Sequence, residues 1–387
     1  MCVGLLYSLQ MKTTIPEIDS KTIRLLRFPL IIMVLYVHCF GPGEVDMLAM
    51  DYSSLSGMDC FNIFRVFVTR VLCHVAIPSF FIISGYLFFR GTTEWNCEVY
   101  TSKLRSRVKT LLIPYLIWNL IYLIYIKSSS NPFDYVAPFV SDMSVGDYFA
   151  SFWNLIIGET GMTNWLGQPT PNHYPINFPL WYVRDLMVLV VLSPLIRLFV
   201  KHTRKWGLLM LALCYVSSIW PNYTGIQING VLFFSVGAYL GVHQIDMVDW
   251  FRRHRRIIYP VAAVLALVTL YFGSIWTTTG LRVYKFFVLF GTASTIALAG
   301  GLARQGKANM PALLSNSAFF IMAVHMIEFC QLGDRLYRLI FSPESALGLT
   351  ICYIVVPFMV AGMCIALFAL LKKLCPPLLK LLNGGRV

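Results

Sequence analysis

Apolar runs recur from near the start of this sequence to its end, and at about 17 to 25 residues each is long enough to cross the hydrocarbon core of a bilayer as a helix. Hydrocarbon offers no partner to an exposed backbone N–H or C=O, so runs of this kind fold as helices packed into a bundle. Composition agrees: 57% of the 387 residues are hydrophobic and 13% are charged, a balance outside the soluble globular range. The expectation is an all-α polytopic membrane protein of about ten spans, at 23–41, 71–90, 108–127, 179–200, 206–221, 226–243, 257–273, 283–303, 313–331 and 347–371. Only the short Pro221–Gly225 link divides the fifth from the sixth.

The net charge of +13 would point to nucleic acid in a soluble protein. Here most of the 31 Lys and Arg fall in alternate segments between the spans, starting with the one at and before the first span, as the positive-inside rule requires when both termini are cytoplasmic. Topology thus accounts for the charge without a nucleic-acid partner. The ten Cys show no CxxC or metal-ligand spacing and behave as small buried hydrophobes. No cleavable signal peptide is evident, and the change of character at Lys12 marks Met11 as a candidate start. The organisation expected is an N-terminal tail over 1–20, a membrane domain over 21–373 and a cytoplasmic tail over 374–387, with no soluble domain after the last span. Residues 44–70 are expected to approach the second span along the interface, through FNIFRVFVTRVL. Residues 127–178 hold a weakly amphipathic stretch, Val145–Ile157, and a loop with Trp165, His173 and Tyr174 that covers an outward pocket.

Against this background the ionisable residues inside spans stand out. An ionisable group at membrane depth costs about 2.5–3.5 kcal/mol on insertion scales and usually faces a bundle interior or wet cavity. The first span carries two, Arg27 and His38. Their eleven-residue spacing returns them to within about 20° of one face, roughly 16 Å apart. An outer group joins His38 with His74, Arg184 and Asp185 after PLWY, and His325 with Glu328, three apart on one helix face. An inner group joins Arg27 with Lys103, Arg105, Arg107 and Lys109. The pattern suggests an anionic donor from the cytoplasm and an acceptor from outside. Structural readings stand beside these: a hydrogen-bonded interhelical histidine, a positive-inside signal, a buried Arg184–Asp185 ion pair, and a helix-packing point at Ser84-Gly85-Tyr86. His325 and Glu328 lack a third ligand for a metal, so none is expected.

The segments RFPLIIMVLYVH, IPSFFIISGYLFF, the basic run into LLIPYLIW, PLWYVRDLMVLVVLSPLI and NSAFFIMAVH together resemble the acyltransferase family 3 integral-membrane proteins. The resemblance covers about 18–371 and implies transfer of an acyl group, most often acetyl, to extracytoplasmic glycans across the plasma membrane of a bacterium. It makes His38 the catalytic histidine with Arg27 its companion. It makes Arg105, Arg107 and Lys109 the counterpart of the family's arginine motif, although Arg-x-x-Arg itself is absent. It extends to His325, with Met322 where a tyrosine is often found.

An alcohol is a poor nucleophile at neutral pH, and histidine is suited to serve as its base. The expected chemistry places acetyl-CoA, or another acyl-CoA, with its phosphates on Arg105, Arg107 and Lys109. Its thioester reaches past Arg27 to His38, which acts as base or as acyl carrier. Asp185 or Glu328 would orient the imidazole and Arg184 would steady negative charge. Trp181 and Tyr182 would stack on a sugar, or belong to an interfacial aromatic belt. The alternative is a transporter or flippase of a polysaccharide precursor, which would use the same cavity without a base.

Overall fold

The computed structural model describes residues 15–40, 47, 50–92, 94–128, 143–163, 169–221, 223–272, 278–306 and 309–386. Trp165, Asn222 and the candidate start at Met11 lie outside them. The helices are α1 (Glu17–Phe40), α2 (Gly57–Val66), α3 (Ala76–Phe89), α4 (Cys97–Arg107), α5 (Ile113–Ser128), α6 (Val145–Ser151), α7 (Trp181–Val191) and α8 (Ser193–Ser217). They continue with α9 (Ile228–Val242), α10 (Met247–Arg253), α11 (Arg255–Phe272), α12 (Thr278–Arg304), α13 (Ala312–Val324), α14 (Cys330–Phe341), α15 (Ala346–Leu374) and α16 (Pro376–Leu382).

The all-α, multi-pass reading holds, and the candidate spans among the described residues are fewer than the ten expected. Among the described residues, seven helical runs are long and apolar enough to cross a membrane: 17–40, 57–89, 97–128, 255–272, 279–304, 312–341 and 346–374. An eighth is added if α9 and α10 are one span, but they meet at 108°. The expected fourth span is helical but broken at Leu192 ahead of Pro194, and the link expected between the fourth and fifth spans falls at Arg204, whose φ of 51° interrupts α8. A proline removes a ladder donor and clashes with the preceding turn, and Arg197, Lys201, Arg204 and Lys205 make this stretch too charged for an ordinary span.

Within 44–70, Ser56 and Asp59 form a capping box that starts α2, and the chain then stays helical to Phe89 through a π turn and a 3-10 turn. The approach to the second span is thus helical and continuous with it, with Phe61 and Phe64 against Tyr353 of α15.

Helix α1 is the centre of the bundle, packed against α3, α12, α13 and α15, with Leu30, Ile31 and Leu35 sealed from solvent. The closest packing is of α3 on α9. A Cβ on Gly85 would lie 2.2 Å from Phe234 O, and one on Gly237 would lie 2.0 Å from Ile82 O, so both glycines are required for the two backbones to touch. Asp19, fully buried near the start of α1, accepts from Tyr86 Oη at 2.5 Å and from the backbone N–H of Met247 and Val248, each at 3.0 Å. It therefore caps α10 and pins α1, α3 and α10 together. On the outside of the bundle, Ile257, Val264, Leu267 and Tyr271 of α11 and Leu116, Leu120 and Ile124 of α5 are exposed. Apolar stripes of that extent suit lipid.

Between α6 and α7 the expected amphipathic stretch is split. After α6 the chain forms an antiparallel hairpin, β1 (Leu155–Thr163) with β2 (Pro169–Tyr174), pairing Leu155 with Tyr174 and Ile156 with His173. Phe152, Leu155 and Ile176 form a small apolar cluster with Tyr122 and Ile126 of α5, which seats the hairpin on the bundle. The expected free tail over 374–387 is also packed: Leu379, Leu382 and Asn383 are buried.

Candidate active site

Two polar centres lie toward opposite ends of α1. At its C-terminal end is His38, half-buried. Of the outer residues expected near His38, the fold brings His325 against it. The His38 ring centroid is 5.2 Å from that of His325, tilted by 48°, and 5.3 Å from that of Phe178, edge-on at 87°. His325 Nδ1 lies 2.9 Å from Ile321 O. A carbonyl oxygen only accepts, so Nδ1 donates and Nε2 of the neutral ring is the acceptor. That Nε2 is buried with no hydrogen-bond partner among the described residues. Next along each helix, Cys39 and Cys330 meet with sulfurs 3.3 Å apart. The thiols scattered in the sequence thus include one matched pair joining α1 to α14.

The expected pairing of His325 with Glu328 on one helix face depends on unbroken helix, and the helix breaks there. His325–Phe329 is a π turn in which Ile327 has ψ 79° and Glu328 has φ 67°. Such turns recur at functional sites, and a non-glycine at positive φ is strained. Glu328 accepts from Tyr125 Oη and, at 3.1 Å, from Arg335 Nη1. Two further residues missed in the sequence complete this end. Buried Asn177 donates from its backbone N–H to Asn119 Oδ1 at 3.1 Å and from Nδ2 to Ala323 O at 3.0 Å. It thereby sets Phe178 against His38. His74 sits on the 3-10 turn before α3, bonded through Nδ1 to Tyr284 Oη.

Arg184 and Asp185 were expected to act on the imidazole, and their bonds assign them differently. Arg184 Nε and Nη2 both lie 2.9 Å from Asp185 Oδ1, and Nη1 donates to Trp153 O at 3.0 Å and His173 O at 3.1 Å. The pair is a buried clamp that fastens both ends of the hairpin to α7. Burial and the nearby Arg184 charge lower the pKa of the His173 imidazole, whose Nδ1 is 2.8 Å from Asn154 Oδ1.

Toward the other end of α1 lies a cavity of about 220 Å³ lined by Arg27, Arg107 and Arg386, by Ser84, Tyr182 and Ser315, and by apolar side chains including Ile31, Phe319 and Met322. Arg107 enters it, but Arg105 and Lys109 are exposed. Residues two apart on a helix are about 200° apart in direction, so a run spaced by two cannot present all its members to one cavity. Tyr182 also belongs here, its Oη 2.9 Å from Ser84 Oγ, and not at an outer mouth as expected. Trp181 packs toward Phe81, ring centroids 6.5 Å apart. No Asp or Glu lines the cavity among the described residues.

The two centres share their walls. Ile31 lines the cavity and His38 is two turns further along α1, about 10 Å away. Met322 lines it and His325 is the next turn. Tyr182 lines it, and Phe178, touching His38, lies just before it. Three elements that line the arginine-rich cavity therefore also carry the residues of the histidine pair and its Phe178 neighbour. Among the described residues, no group of three or more His, Cys, Asp or Glu is arranged to hold a metal.

Comparison with known proteins bears on this arrangement. The sequence profile of a family described as an acyltransferase domain matches residues 20–371. The chain is also similar to the succinoglycan biosynthesis protein ExoH of Rhizobium meliloti (strain 1021), at 27% identity over 377 residues, covering 95% of this chain and 92% of that protein. No solved structure matches.

Proposed function

Since this chain belongs to the acyltransferase family, we propose that it moves an acyl group, most simply acetyl, from cytoplasmic acyl-CoA to a hydroxyl of an extracytoplasmic polysaccharide or its lipid-linked precursor. The observation that carries the reading is the shared wall: three guanidinium groups without a lining carboxylate at one end, and the His38–His325 pair at the other. The phosphates of the donor bind the arginines, since guanidinium forks match phosphate oxygens, and its arm extends past Ile31 and Met322 toward His38. The start of α1 and the segment after α16 both lie on the donor side in this reading, since Arg27 and Arg386 line the same cavity. A polysaccharide acceptor accords with the similarity to a succinoglycan biosynthesis protein.

In the chemical step His325 Nε2 accepts an N–H of His38, which turns the other His38 nitrogen toward the acceptor hydroxyl. His38 takes the hydroxyl proton as the oxygen attacks the thioester carbonyl. A C–O bond forms, the C–S bond breaks, and the proton passes to the departing thiolate. The ester and free CoA are the products.

The test is transfer of radiolabelled acetyl from acetyl-CoA into the envelope glycan, with membranes containing the native protein or His38→Ala at matched expression. Label that appears with the native protein and disappears with the variant supports the reading. Equal labelling overturns the role of His38. No labelling by either, together with glycan-precursor movement retained by His38→Asn, would instead identify a transporter.

A further inference from the structure

One wall of the arginine cavity comes from an unexpected part of the chain. Arg386 lies beyond the last helix, where its charge is most simply a topology signal, yet its side chain lines the cavity with Arg27 and Arg107. The local sequence Asn383-Gly384-Gly385-Arg386 explains how it gets there. Helix α16 is anchored by Leu379 and Leu382 and by Trp118 Nε1, which donates to Leu382 O at 2.9 Å. Buried Asn383 donates through Nδ2 to Asn316 O at 3.0 Å. Gly384 and Gly385 then take φ of 59° and 82°, a left-handed turn that other residues resist. A Cβ on Gly384 would lie 2.4 Å from Thr110 O. The turn carries Arg386 inward, where Nη1 donates to Thr110 O at 3.3 Å and to Asn383 O at 3.0 Å, and the guanidinium carbon sits 4.7 Å from the Phe319 ring centroid.

These contacts use one end of the guanidinium and leave the charge unbalanced. Among the described residues none of Arg27, Arg107 and Arg386 is in an ion pair. Burial, with Arg27 and Arg107 close by, lowers the Arg386 pKa to about 10. In the same cavity Ser315 Oγ is buried without a partner, and unmet buried polar atoms in a native structure call for an explanation. Three cations held together, with a hydroxyl left over, form a site for a polyanion with phosphate oxygens.

We propose that segment 383–386 is part of the donor site, with Arg386 supplying its third phosphate-binding guanidinium and the Gly384–Gly385 turn setting that side chain's place. This rests on the acyl-CoA reading for the identity of the anion, but not for its charge or chemistry.

The test is calorimetric titration of the full chain, in nanodiscs of neutral lipid, with CoA and with inorganic pyrophosphate. The variants are Arg386→Gln, Arg386→Lys and Gly384→Ala, each checked for thermal unfolding without ligand so that a folding defect is seen separately. Loss of one charge-assisted contact predicts a Kd about 10- to 100-fold weaker for Arg386→Gln. Arg386→Lys is expected to be intermediate, and Gly384→Ala to weaken binding although every arginine remains. Native CoA binding that Arg386→Gln leaves unchanged would overturn this proposal and spare the donor reading. Pyrophosphate binding lost in Arg386→Gln, with no CoA binding by the native chain, would keep the anion site and overturn the donor. Failure of both ligands to bind the native chain, while anionic lipid shifts its unfolding in an Arg386-dependent way, would assign the site to a lipid headgroup and overturn the donor-site proposal. Failure of all three ligands would remove the site.

Discussion

His325→Asn isolates the contribution of one nitrogen. Asparagine reaches the position of Nδ1 and keeps the donation to Ile321 O, 2.9 Å in the native ring, while deleting Nε2. The ring centroids of His38 and His325 are 5.2 Å apart and Nε2 of His325 is buried without a partner among the described residues, so in the proposed mechanism Nε2 is the nitrogen that orients His38. A hydrogen bond involving a group that becomes charged contributes about 1.5–3 kcal/mol. At 1.36 kcal/mol per tenfold change, that is a fall in kcat of about 10- to 160-fold. His38→Ala removes the base itself and is expected to cost about 10²- to 10⁴-fold. Because His325 acts through His38, the double variant should be no slower than His38→Ala alone, a coupling as large as the whole His325 effect. The assay is the initial rate of label transfer from acetyl-CoA at matched protein. The donor KM should stay constant, since the arginine cavity lies toward the other end of α1. His325→Gln, whose amide reaches the Nε2 position, should recover part of the rate. Losses that multiply in the double variant, or a native rate in His325→Asn, would refute the orienting role and leave His325 a packing residue.

Arg184→Met should lower stability by about 3–5 kcal/mol, because it strands the buried Asp185 carboxylate; Arg184→Met with Asp185→Leu should recover much of the loss, read as thermal unfolding in detergent. Gly237→Ala drives a Cβ to 2.0 Å from Ile82 O and should cost about 1–3 kcal/mol as overpacking. Gly362→Ala, with nothing within 4 Å, should be neutral or stabilising by up to about 1 kcal/mol, measured the same way. Arg107→Gln should raise the donor KM about 10-fold or more, whereas Arg105→Gln and Lys109→Gln, both exposed, should leave it within about twofold by the small energies of surface charges.

What the sequence could reveal depended on whether a property repeats locally or is assembled across the chain. Length and apolarity repeat within each segment, so the all-α membrane bundle was legible, as was the close-packing point at Gly85. The break at Leu192 was less so, because the apolar runs on either side read as one span, whereas the kink at Arg204 falls in the link expected between the fourth and fifth spans. The His38–His325 contact joins α1 to the turn after α13, and no local period encodes it. Periodicity instead suggested His325 with Glu328, a pairing undone by the φ of 67° at Glu328. Arg184 and Asp185 illustrate the same limit: adjacency announced an ion pair, but not that its free donors would reach Trp153 and His173. Arg386 was counted as one more positive charge. The signal that could have singled it out is the Gly-Gly pair before it, which marks a tight turn and not an extended tail.

The separation of the two centres along α1 accounts for features that either centre alone leaves unexplained. A thioester brought to a base must be kept from water, or hydrolysis competes with transfer. Between Arg27 and His38, α1 presents Leu30, Ile31, Val34 and Leu35, all buried, so the stretch of α1 that separates the two centres is apolar. Water must still reach the His38 end if a polysaccharide hydroxyl is to enter, and His38 is half-buried where His325 is sealed. The hairpin borders that end, since Tyr174 of β2 packs on Phe178 with centroids 4.4 Å apart and Phe178 packs on His38. Arg184 and Asn177, buried and bonded to three different segments, hold the hairpin's position without touching the reacting groups. In the proposed transfer, donor recognition and acceptor recognition are therefore independent: changes in the hairpin should alter which glycan is modified at constant donor KM, and changes among the arginines should do the reverse.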